Sequence, residues 1–88
     1  MSIAKFEKLA LDIEFYLNTP NIRKKLLESK DLPNISKMIH LTAALHKVGW
    51  ATWMLLDNDT CGVYFGTRRV VVSVTFEPEY NVTVSLEE

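Results

Sequence analysis

Two hydrophobic periods divide the 88-residue chain. As far as Val48 the apolar residues recur at three- and four-residue steps, and from Trp50 onward they alternate with polar ones. In the first part, Ile3, Phe6, Leu9, Ala10, Ile13, Tyr16 and Leu17 form one stripe, with Lys5, Lys8, Asp12 and Glu14 largely off it. This predicts an amphipathic helix over 3–17. Thr19-Pro20 marks a break and a restart, with Thr19 as N-cap and Pro20 as first helical residue. The second helix, about 20–29, turns Ile22, Leu26 and Leu27 inward and Arg23, Lys24 and Lys25 outward. After the loop SKDLPN, a third helix is expected over 34–48, with Asn34 a candidate cap. Ile35, Met38, Ile39, Leu41, Ala43, Ala44, Leu45 and Val48 give it the widest apolar arc of the three, which predicts the central helix against a sheet. Gly49 reads as the left-handed residue closing this helix and Trp50 as the hydrophobic residue that packs back on it.

The alternating half predicts strands at about 50–57, 60–66, 68–76 and 80–86. Gly66-Thr67 suits a type II′ turn, pairing Phe65 with Arg68, Tyr64 with Arg69 and Val63 with Val70. Asn58-Asp59 suits a type I′ turn, pairing Leu56 with Cys61, Met54 with Val63 and Trp53 with Tyr64. A three-residue loop, Glu77-Pro78-Glu79, sets Val74 against Val82, Val72 against Val84 and Val70 against Leu86. A loop one residue longer would pair those valines with Asn81, Thr83 and Ser85, so burial selects the shorter one. The expected architecture is an α+β single domain over 1–88, with three N-terminal helices packed on one face of a four-stranded antiparallel meander sheet. Val72 and Val74 are expected at the buried centre, and Val71 and Ser73 on the far side.

The same registers compose the far side of the sheet. Trp53, Tyr64, Arg69 and Glu87 are expected in one cross-strand row, and Leu55, Gly62, Val71 and Ser85 in the next. A water-facing patch of Trp53, Leu55, Tyr64, Val71 and Arg69 is rich in the residue types of interface hot spots, which makes it the candidate partner-binding surface. Two readings compete with it: a ladder of cross-strand pairs with Arg69 stacked on Tyr64, or a first helix that crosses over and covers this face.

Composition narrows the function classes. The net charge of −1 hides a polarity: residues 1–47 carry eight Lys/Arg against five Asp/Glu, and residues 48–88 two against six. The lone Cys61 forbids an internal disulfide and lies on the predicted core face. Neither a hydrophobic leader nor a membrane-length apolar run is visible, so a cytoplasmic, non-membrane protein is expected. His40 and His46 do not share a helix face as a metal pair, and Asp57, Asp59, Glu77 and Glu79 lack calcium-loop spacing. No metal, cofactor or catalytic residue is therefore expected, and Asn81-Val82-Thr83 is read as a chance sequon. The expectation is a non-catalytic interaction module of adaptor or inhibitor type, binding another protein or a second copy of itself. The alternative is nucleic-acid binding through Arg23, Lys24, Lys25, Lys30 and Lys37. In element order the chain resembles winged-helix DNA binders, although its third helix is mostly apolar and its sheet is larger than a wing.

Overall fold

The computed structural model describes residues 3–87. In chain order it contains α1 (Ile3–Leu17), α2 (Pro20–Glu28), α3 (Asn34–Lys47), β1 (Thr52–Leu55), β2 (Thr60–Phe65), β3 (Arg68–Thr75) and β4 (Asn81–Leu86). The strands form one antiparallel sheet in the order β1-β2-β3-β4, a meander, and the helices lie on one face of it. The expected α+β architecture is the observed one.

Local chemistry sets the helix ends. The backbone N–H of Gly49 donates to the His46 carbonyl and that of Trp50 to the Leu45 carbonyl, with Gly49 at φ +106°. This is the paired-bond stop that a glycine makes possible. Trp50 then packs edge-on against Tyr16, 5.9 Å between ring centroids, and Tyr16 Oη donates to the Ala44 carbonyl at 2.9 Å. Thr19 has the extended backbone of an N-cap, but its hydroxyl donates back to the Tyr16 carbonyl at 2.6 Å and caps nothing. Asn34 is the first residue of α3 and not its cap; its amide reaches Asp59 at 3.4 Å.

Two of the three hairpins keep the expected registers. Gly66 alone takes positive φ (64°) in the β2–β3 turn, as type II′ requires, and Val63 faces Val70. Across β3–β4, Val70, Val72 and Val74 face Leu86, Val84 and Val82. The β1–β2 register differs by two residues. Thr52 faces Val63, Trp53 faces Gly62 and Met54 faces Cys61. In place of a two-residue turn, Leu56–Asn58 make a turn of 3-10 helix and Asp59 alone is left-handed (φ 52°). A shift of two conserves the face each side chain occupies, because strand side chains repeat every second residue.

The core is formed by Ile13 and Leu17 of α1, Leu26 of α2, Met38, Leu41 and Leu45 of α3, and Cys61, Val63, Val70, Val72 and Val82 of the sheet. α3 does not occupy the centre alone. It lies against β1 and β2, whereas α1 lies against β4. The apolar arc of α3 is therefore wider than the surface it covers, and Ile35 and Ile39 are left exposed. Val72 is buried as expected, but Val74 is only half-buried, since it lines an open cleft at the end of the sheet.

Candidate functional site

The far face of the sheet is organised by the two-residue shift. With Trp53 opposite Gly62, the outer rows are Ala51–Tyr64–Arg69–Glu87 and Trp53–Gly62–Val71–Ser85. The expected register would have set Trp53 beside the Tyr64 ring; the observed one lays the indole over a glycine. A Cβ at Gly62 would fall 1.8 Å from the Val70 carbonyl oxygen and 3.2 Å from Trp53 Cζ2, so only glycine fits. The indole Nε1–H donates to the Val63 carbonyl at 3.1 Å. Arg69 lies 5.4 Å from the Trp53 ring centroid and pairs with Glu87 at 3.2 Å.

Trp53 is consequently 7% exposed. This corrects the expectation that it stands free as a docking anchor, and it corrects the stacking partner of Arg69 from Tyr64 to Trp53. Leu55, Arg69 and Val71 are half-buried and Tyr64 is exposed. The five residues do share one face, with the aromatic centre tied down by its own neighbours. On the β3–β4 half of that face the exposed residues are polar: Ser73, Thr75, Asn81, Thr83 and Ser85.

Exposed large apolar side chains are found elsewhere. Leu11 and Phe15 stand one turn apart on α1, diametrically opposite its core stripe. On the β1 side, Leu32, Ile35 and Ile39 of the α3 region are joined by Met54 and Leu56. The Asn34–Asp59 contact links the first turn of α3 to the loop that follows β1, and α3 packs against β1. Sequence reading placed Ile35, Ile39, Met54 and Leu56 in the core. The missed signal was the excess width of the α3 arc over the one short strand that ends the sheet beside it.

The basic residues of the alternative reading are mostly engaged within the fold. Arg23 lies over the Tyr80 ring at 4.8 Å, Lys37 is 5.8 Å from the Phe76 centroid, and Lys30 pairs with Glu77 at 3.6 Å. Lys24 and Lys25 remain exposed on α2. A cleft of about 250 Å³ opens between α3 and the sheet, with Met38, Leu41, Cys61 and Val72 in its walls and Lys37 and Asp59 among its polar lining. Burial pushes the Cys61 thiol above its ordinary value, and its Sγ–H donates to the Val72 carbonyl at 3.9 Å. A raised thiol is protonated at neutral pH and is a poor nucleophile. Among the described residues no three His, Cys, Asp or Glu side chains converge as metal ligands, and no helix is long and apolar enough to cross a membrane. Compared with known proteins, the chain matches no family model, no curated protein and no solved structure.

Proposed function

We propose that this protein is a small non-catalytic protein-interaction module of adaptor or inhibitor type, working in the cytoplasm through the β1 side of the domain. The observation that carries this reading is the exposure of Leu32, Ile35, Ile39, Met54 and Leu56. These lie on α3 and the loop before it and on β1 and the turn after it, and α3 packs against β1. Contiguous exposed apolar side chains cost solubility, and in monomeric domains they mark partner surfaces. Tyr64, on the adjoining outer face, extends the surface with an aromatic of the kind enriched at hot spots. Nucleic-acid binding has less support, because three of its five basic residues are spent on internal contacts.

Site-specific photo-crosslinking in native cells tests the proposal. A photoreactive residue at Leu56 or Ile39 should give a discrete adduct, whether with another protein or with a second copy. The same residue at Thr83 or Ser85 should give none. Equal yields at all four positions would remove the reading.

A further inference from the structure

We infer that the occupant of this surface is a second copy of the chain, joined β1 to β1 in antiparallel fashion so that two four-stranded sheets become one of eight. The inference rests on the interaction-module reading and adds the partner, the register and the groups that make the contact. The first support is the hydrogen-bonding state of β1. Tyr64 N–H donates to the Ala51 carbonyl at 2.9 Å, and the antiparallel ladder alternates from there. Trp53 and Leu55 therefore bond to β2, whereas the N–H and C=O of Thr52 and Met54 point away from the sheet. The strand carries neither a charged residue nor a proline, the usual means of blunting an edge. A partner strand centred on Trp53 sets Thr52 opposite Met54 in both directions, so the edge is complementary to itself.

Charge agrees with this direction. The basic end of α3, with exposed His46 and Lys47, leads within a few residues into the start of β1, and Asp57 and Asp59 follow its end. Antiparallel pairing brings the basic end of each copy to the acidic end of the other. Parallel pairing would bring like to like.

Spacing agrees as well. α3 lies against both β1 and β2, so its axis runs between them. Adding one β1–β1 step places the two α3 axes about two strand spacings apart, roughly 10 Å. Helices pack at about that distance. The facing flanks would be those that carry Ile35 and Ile39, and their exposure would end in the dimer.

Sedimentation of the full chain over a range of concentrations, with two variants, tests the inference. The wild type should pass from monomer to dimer as concentration rises. Thr52→Pro removes an outward N–H that the monomer does not use, and an edge strand tolerates it. It should stay monomeric, with an unchanged circular dichroism spectrum. Ile39→Lys should weaken the dimer at least tenfold. A wild type monomeric at every concentration overturns the inference, and if the Leu56 and Ile39 crosslinks persist, the module reading stands with a different partner. A dimer indifferent to both variants also overturns it, because association would then use another face.

Discussion

The two edges of the sheet are built differently. Along β4, the outward-facing residues are Asn81, Thr83 and Ser85, the inner face is covered by α1, and no large apolar residue is exposed. Tyr80, which leads into the strand, is fixed by Oη donating to the Leu17 carbonyl and by Arg23 over its ring. Along β1, Met54 and Leu56 are exposed and the neighbouring helix adds Ile35 and Ile39. Both edges carry unpaired backbone groups, as any open sheet must. What separates the strands themselves is their side chains: β4 exposes Asn81, Thr83 and Ser85, whereas β1 exposes Met54 and runs into exposed Leu56. The exposed Leu11 and Phe15 of α1 lie on the helix face opposite its core stripe.

The largest expected effects lie at the centre that both edges share. Val72→Asp places a charge at a position 2% exposed and should unfold the domain, at a cost of several kcal/mol. Val71→Asp, on the outer face, should leave a cooperative thermal melt. If Val71→Asp unfolds the chain and Val72→Asp does not, the assignment of faces is inverted. Gly62→Ala should cost about 3 kcal/mol or more, since its Cβ meets backbone that cannot yield. It breaks the comparison on one side: amide exchange should rise in β1, in β2 and in β3 around Val70 before it rises in β4.

Smaller effects sharpen the contrast. Trp53→Phe removes the bond to the Val63 carbonyl and should cost about 1 kcal/mol in denaturant melts, with disorder confined to β1. Tyr80→Phe, the matching loss beside β4, should cost a similar ~1 kcal/mol and leave β1 unaffected. The smallest effect is that of pH. The raised Cys61 thiol gives stability that is fully present below its ordinary value of 9.0 and is lost as pH rises through the folded value. Tyr16 and Tyr80, raised by burial from 10.0, act in the same sense at higher pH. Stability should stay level near neutrality and decline above about pH 9, and Cys61→Ala should shift the onset upward. A decline toward acid from these groups would contradict the assignment.

Much of this was legible in the residues themselves. Helix periods, the Gly49 stop, the Gly66 turn and the valine alternation of β3 and β4 each depend on neighbours close in sequence. The β1–β2 register was not legible, because Asn58-Asp59 satisfies a type I′ turn as well as the end of a longer loop. What decides between them is the fit of the Trp53 indole over Gly62, nine residues away. The candidate surface was legible in part. The far-face row was right in Tyr64, Arg69 and Glu87, but whether Trp53 stands free depended on that same register. The exposure of Ile35 and Ile39 depends on how three helices share one sheet, which no local pattern encodes.

Hydrogen exchange read residue by residue, in dilute and in concentrated solution, tests the contrast between the edges most directly. The outward amides are Thr52 and Met54 on β1, and Val82, Val84 and Leu86 on β4. In dilute solution both sets should exchange quickly, while Trp53 and Leu55 are protected by β2. At high concentration the amides of Thr52 and Met54 should slow together, and those of β4 should not change. Protection gained at Val82, Val84 and Leu86, or at neither edge, would contradict the account.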